Sequence, residues 1–187
     1  MSSLNVHVEI KGIAPLLQHN IEGAEAQMLN KGKRKTGGVR DDPNEWKQWL
    51  YKIDGNGRLG HPSAAIETMF VKAARDFKAD KRRTMAEVCK AAMFCNEKYV
   101  ELVGKNGPDR VNRASVVNPN TRGRGFSYRP EFDAGWTGTF SITLSDLDLL
   151  PEDRAKEIMD HGGRLIGIGS WRPKFGRFIV TEWKAAK

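Results

Sequence analysis

The chain has 187 residues and a net charge of +8, from 31 Lys and Arg against 23 Asp and Glu, which suits one domain with or without long insertions and points towards an anionic partner. Its 39% hydrophobic and 29% charged content is that of a globular chain with a well-solvated surface, and it holds no run of about 18 apolar residues to span a membrane. The Met1-Ser2-Ser3-Leu4 start lacks the basic-then-apolar pattern of a secretory signal, and two cysteines, Cys89 and Cys95, exclude a disulfide framework or a four-cysteine zinc site, so a reducing, cytoplasmic setting is expected.

Leu4, Val6, Val8 and Ile10 alternate with Asn5, His7, Glu9 and Lys11, a period of two that predicts a half-buried strand ended by Gly12 and Pro15. Residues 22–60 carry scattered apolar positions and short glycine clusters without sustained periodicity; they are expected to be an insertion, with a short helix over 43–52 packing Trp46, Trp49 and Leu50. His61-Pro62-Ser63 is expected to open a helix, since proline suits a first turn whose N–H groups lack partners. Ala65, Ile66, Met69, Phe70, Ala73, Ala74 and Phe77 then follow the i, i+3, i+4 spacing of an amphipathic helix. A second short helix is predicted over 85–92 and a strand over 93–103. Residues 104–135, rich in Gly and Pro, predict a long loop or protruding hairpin, of the kind that is usually functional. Phe140, Ile142 and Leu144 alternate with Thr139, Ser141 and Thr143 in the clearest strand of the chain. A helix starts at Leu150-Pro151-Glu152-Asp153, buries Ala155, Ile158 and Met159, and is expected to stop at Gly162-Gly163. Residues 175–183 form the last predicted strand. The order β-α-β-β-α-β predicts an α+β, ferredoxin-like (RRM-like) core with an antiparallel sheet, interrupted by long insertions after strand 1 and before strand 3.

The positive charge is concentrated. Residues 31–40, 110–130 and 164–177 hold fourteen basic residues and no acid, which leaves the rest of the chain at −6 against the overall +8. Acid-free basic segments in an otherwise acidic chain read as pieces of one polyanion-binding surface, against the blander reading of solvated loops. The third segment contains Gly167-Ile168-Gly169-Ser170-Trp171-Arg172-Pro173-Lys174-Phe175-Gly176-Arg177-Phe178, whose glycines let the backbone approach a phosphate or another chain. It lacks the third glycine of a dinucleotide fingerprint and the Gly-Lys-Ser/Thr of a P-loop.

A glycine-rich loop after the last helix, ending in Gly176-Arg177-Phe178, resembles that of the RAMP superfamily of CRISPR-associated RNA-binding proteins. Gly12-Ile13-Ala14-Pro15-Leu16-Leu17-Gln18-His19-Asn20 resembles the segment after the first strand of CRISPR backbone subunits, and His61-Pro62-Ser63-Ala64-Ala65-Ile66 the segment that opens their first helix. Arg129-Pro130 and the Trp171-Arg172-Pro173 ending are similar to those of stand-alone bacteriophage proteins of this type, whose setting would be the cytoplasm of a bacterial host. The chain is expected to be a single RAMP-like domain over residues 1–187, and the resemblance covers its core strands and helices, with residues 22–60 and 104–128 outside it. It implies a largely sequence-independent single-strand-binding role for RNA or DNA, with Gly167, Gly169, Arg172, Lys174 and Gly176 at the strand-binding face and the 104–135 insertion as a thumb. A homo-oligomer or filament along the strand belongs to the same implication.

The residues themselves agree. Arg110, Arg113, Arg122, Arg124 and Arg129 suit phosphates, as do Lys33, Arg34, Lys35 and Arg177. Phe126 and Tyr128 point the same way from an extended chain and either stack on bases or fold back on the core; Trp171 is either a base platform or the packed hinge of its loop. No cofactor, metal site or paired catalytic constellation is expected. A metal-independent ribonuclease remains an alternative, with His19 and then His61 as its histidine; His7 and His161 suit ordinary surface roles. Asp41-Asp42 beside Glu45 is expected to be a solvated or capping cluster. A third reading is an assembly protein, of phage structural or anti-defence type, whose basic loops meet an acidic protein.

Overall fold

The alternation of the first segment builds β1 (Leu4–Gly12), in which Val6, Val8 and Ile10 are fully buried and His7, Glu9 and Lys11 face outward. The computed structural model describes residues 2–20, 41–54, 57–79, 83–117 and 122–185. The expected basic cluster Lys33, Arg34 and Lys35 lies outside the described residues. β1 pairs antiparallel on one side with β8 (Thr137–Leu144) and on the other with β9 (Phe178–Ala185), with a register shift at Glu9/Ile10 against β9. β8 also pairs β4 (Met93–Cys95) and β5 (Tyr99–Leu102), and β3 (Gly60–Pro62) closes the far edge, giving the order β3-β5-β8-β1-β9. The predicted strand over 93–103 is thus broken in two. Residues 96–100 oppose only residues 140–141 of β8, a bulge held by Asn96 N–H on the Ser141 carbonyl and Ser141 N–H on the Glu97 carboxylate.

Three α-helices are described: α1 (Ala64–Ala73), α2 (Met85–Ala92) and α3 (Glu152–Leu165). They cover one sheet face with Ile66, Met69, Phe70, Val88, Ile158 and Met159, all in one core with Val6, Val8, Ile142 and Leu144. Each fully buried side chain of this size contributes about 1.5–3 kcal/mol. α2 begins with a capping box in which Thr84 accepts from Glu87 N–H while the Glu87 carboxylate accepts from Thr84 N–H, satisfying two N-terminal donors.

Two expectations are corrected. His61-Pro62 does not open the helix. These residues extend along Val100 and Tyr99 as β3, and α1 starts at Ala64. Gly162-Gly163 does not stop α3, which continues to Leu165. A Cβ on Gly162 would meet the Met69 sulfur and Ala73, and one on Gly163 would meet the Phe178 ring and carbonyl. These glycines let α3 lie close to α1 and β9 instead of ending it.

The second sheet is β2-β7-β6, from β2 (Leu16–Leu17), β7 (Arg124–Phe132) and β6 (Arg110–Val117). The 104–135 segment is therefore a hairpin, with pairs from Arg110↔Glu131 out to Val117↔Arg124. Its base is anchored by the buried Phe132 and Trp136, whose indole N–H donates to the Ala14 carbonyl at 2.9 Å. The helix expected over 43–52 is a 3₁₀ turn, Glu45–Trp49, packed on β7; Trp49 is buried and Trp46 half-buried. The α+β architecture, with antiparallel sheets and three helices, is compatible with the ferredoxin-like class. No helix among the described residues is long and apolar enough to cross a membrane.

Candidate functional site

The glycine loop joins α3 to β9 and folds onto the segment after β1. Gly167, Gly169 and Gly176 have φ of +72°, +80° and +76°, backbone that L side chains rarely adopt. The Gly176 N–H donates to the Pro15 carbonyl at 2.7 Å, Ser170 N–H to the Leu17 carbonyl at 2.9 Å and Ile168 N–H to the Gly176 carbonyl at 2.9 Å. A Cβ on Gly169 would lie 2.5 Å from the Leu17 carbonyl oxygen, and one on Gly167 2.5 Å from that of Gly176. The close approach expected of these glycines is therefore to the chain's own backbone, and Gly167 and Gly176 are buried. Arg177 is half-buried, with its carbonyl accepting from Ile13 and Ala14. The exposed rim is Trp171-Arg172-Pro173-Lys174. Trp171, a non-glycine residue at φ +54°, is 38% exposed. Arg172 and Lys174 form no ion pair among the described residues.

Hairpin and loop meet. The Arg129 guanidinium lies 4.3 Å from the centroid of the Trp171 ring, a cation–π stack that joins two of the three basic segments. By the strand register Arg129 sits on one hairpin face, while Arg113, Arg124, Phe126 and Tyr128 share the other. On that second face Arg113 stacks 3.5 Å over the half-buried Phe126, and its Nε donates to the Tyr128 hydroxyl at 2.8 Å. The Tyr128 hydroxyl in turn donates to Asp41, and Arg113 lies 3.6 Å from the same carboxylate. Tyr128 is only 9% exposed, with its hydroxyl held between Arg113 and Asp41, whereas Phe126 keeps part of its ring in solvent. The hydrogen bond to Asp41 and its burial raise the Tyr128 phenol above its ordinary value. Arg110 is paired with Asp133, at 2.7 Å from Nε, which holds its guanidinium more firmly protonated. Arg122, at φ +52°, and Arg124 are exposed near the hairpin tip.

The acids flagged in the sequence go separate ways. Asp42 accepts from Asn44 N–H, Asp41 docks on the hairpin, and Glu45 is buried with its carboxylate accepting from Tyr128 N–H at 3.4 Å. The Asp41 and Glu45 bonds reach across more than 80 positions, and no local pattern signals them.

The open face of the large sheet is polar and largely self-neutralised. Arg58 bridges Asp54 at 2.8 Å and Glu101 at 3.2 Å, and Lys98 lies over the Tyr99 ring. The register also brings His7, Glu9 and Glu182 within 4.8 Å of one another, a solvent-facing trio beside Lys184 that sequence spacing does not show.

The two candidate histidines sit in different surroundings. His19 is half-buried, tilted on Trp49 at 4.2 Å between ring centroids. His61 is 4% exposed, its Nδ1 has no hydrogen-bond partner among the described residues, and it meets Tyr51 edge-on at 5.5 Å. Burial first, and the Arg172 charge second, push its pKa down to about 4 from the ordinary 6.5. The unfolded chain therefore takes up a proton that the native state refuses. Stability is full above about pH 6.5 and is lost as pH falls towards 4, by roughly 3 kcal/mol. Urea unfolding at several pH values is expected to show this acid limb, and His61→Gln is expected to flatten it. An unchanged limb in the variant refutes the assignment. His7 contacts Thr139 at 3.2 Å, and His161 contacts Asp76 at 2.9 Å. Burial pushes the thiols of Cys89 and Cys95 up to about 12, with Glu67 and Glu97 adding to the effect at Cys95.

No family model and no curated protein matches the chain. Among solved structures, a chain of the type III-B Cmr-beta complex bound to cognate target RNA, determined by cryo-EM, superposes with a TM-score of 0.55 at 13% identity. The match covers 99% of this chain and 61% of that one, so the protein spans under two thirds of its neighbour's length. At this identity the likeness is one of fold, and the fold it supports is the RAMP-like one that the glycine loop and the segment after β1 resemble.

Proposed function

We propose that the protein binds single-stranded nucleic acid, largely without regard to sequence, along the surface where hairpin and glycine loop meet. The observation that carries this reading is the Arg129–Trp171 stack. It joins the exposed loop rim of Trp171, Arg172 and Lys174 to the hairpin, whose other face presents Arg124 and Phe126, so that cations and aromatic rings lie together around the junction and suit phosphates and base faces. The open sheet face is mixed in sign, with Glu9, Glu101 and Glu182 standing among its cations, and suits a polyanion less well. The fold neighbour is a complex bound to RNA, which supports a nucleic-acid ligand on the same fold. In this reading the core is ferredoxin-like, βαββαβ, formed by β1, α1, β4 with β5, β8, α3 and β9, and the β6–β7 hairpin is its thumb.

Fluorescence anisotropy with labelled RNA and DNA 30-mers across a salt series tests the proposal. Binding is expected at about 50 mM salt, weakening steeply as salt rises. No binding there, or an affinity indifferent to salt, overturns it. Gain of affinity for RNA over DNA would assign the polymer through 2′-hydroxyl contacts.

A further inference from the structure

Arg113 is the arginine that the hairpin register places beside both aromatic rings, yet its free edge faces an acid of the chain itself. Its flat face lies on Phe126 at 3.5 Å and its Nε is bound to the Tyr128 hydroxyl at 2.8 Å, so two of its three sides are fixed. The third side and the Tyr128 hydroxyl converge on the two oxygens of Asp41, Tyr128 on Oδ1 and Arg113 on Oδ2 at 3.6 Å. A guanidinium and a hydroxyl, held rigidly and aimed at two oxygens of one anion, form a site that fits the two non-bridging oxygens of a phosphodiester as well as a carboxylate. Asp41 and Arg113 keep 44% and 49% of their side chains exposed, so the ion pair is weak and open to exchange.

We propose that Arg113 and Tyr128 form a phosphate subsite which Asp41 fills in the free protein, and that a backbone phosphodiester of the bound strand displaces Asp41 from it. This rests on the single-strand-binding reading above. Tyr128 then acts without stacking on a base: buried, it holds the guanidinium in place and offers its hydroxyl to the anion. Asp41 sets the affinity by competing for the subsite, and it favours a dense polyanion over an isolated phosphate, because neighbouring contacts must help to displace it.

The test is an anisotropy titration of a labelled single-stranded 30-mer with the wild-type chain, Asp41→Asn, Asp42→Asn and Arg113→Gln, and with Asp41→Asn combined with Arg113→Gln. The asparagine keeps the size and one acceptor of the aspartate side chain and removes its charge. Asp42 lies next to Asp41, faces Asn44 instead of the hairpin, and reports any general effect of removing one negative charge. Asp41→Asn is expected to tighten binding about three- to tenfold and to steepen the salt dependence by roughly one phosphate contact. Asp42→Asn is expected to change affinity less than about twofold, and the gain from Asp41→Asn is expected to vanish in the Arg113→Gln background. Equal or weaker binding by Asp41→Asn, an equal gain from Asp42→Asn, or a gain that survives loss of Arg113 each overturns the subsite while leaving the binding function standing. No binding by any of the proteins overturns both.

Discussion

Reversing Arg172 and Lys174 together, as Arg172→Glu with Lys174→Glu, is expected to weaken single-strand binding about thirty- to a hundredfold at roughly 100 mM salt, and to flatten the salt dependence by about 1.4 in log–log slope. Both side chains stand on the exposed rim of the glycine loop and are unpaired among the described residues, so their charge is available to a ligand. Each phosphate of a single strand that is no longer neutralised removes about 0.7 of slope, and reversal adds repulsion to that effect. Arg122→Glu and Arg124→Glu, at the exposed end of the hairpin, are expected to weaken binding by about tenfold together. Lys72→Glu and Lys156→Glu place the same charge change on exposed positions of α1 and α3, and are expected to alter affinity less than about twofold. Trp171→Ala separates the two kinds of interaction. It is expected to cost about ten- to a hundredfold in affinity with little change of slope, because stacking releases no counterions. Equal losses at the helix positions and at the loop would reduce the effect to net charge and remove the assigned surface.

Elements that bury one face were legible in the sequence, because the burial itself imposes the period. Val6, Val8 and Ile10 in β1 and Phe140, Ile142 and Leu144 in β8 are the inward residues that alternation predicts, and Ile66, Met69, Phe70 and Ala73 form the expected stripe of α1. What failed depended on partners far along the chain. A glycine that ends a helix and one that lets two helices touch look the same locally; only Met69 and Ala73, more than 85 positions away, decide that Gly162 is the second kind. Pro62 suits a first helical turn, but pairing of Gly60-His61-Pro62 with Tyr99-Val100-Glu101 holds it in a strand. The loop and hairpin were recognisable as segments by glycine content and charge. Their junction at Arg129 and Trp171 was not, and neither was Asp41 on the hairpin, since no local pattern reports a contact between segments so far apart.

Gly176→Ala is expected to destabilise the protein by about 3 kcal/mol, a fall in Tm of roughly 6–12 °C for a domain of this size. A methyl group there overlaps the Ile168 carbonyl oxygen, which is backbone and cannot swing aside like the end of a side chain. The φ of +76° adds about 1–2 kcal/mol for any L side chain. Relief requires breaking the Ile168–Gly176 or the Gly176–Pro15 hydrogen bond, and an orphaned buried backbone group costs about 1–3 kcal/mol. Gly104→Ala is the control. Gly104 has nearly the same conformation, φ +70°, but nothing within 4 Å of where its Cβ would stand, so its substitution is expected to cost about 1 kcal/mol of strain alone. Comparable losses at the two positions, measured by urea unfolding, would mean that strain, not close approach, accounts for Gly176. The consequence reaches the ligand surface, because the Gly176 backbone holds the loop against Pro15 and so keeps Trp171 against Arg129. Gly176→Ala is therefore expected to lose binding about tenfold or more at temperatures where it is still folded, although Gly176 is buried and touches no ligand. Gly104→Ala, equally folded, is expected to bind as the parent chain does. Intact binding by folded Gly176→Ala would show that the loop's backbone geometry does not set the position of its rim.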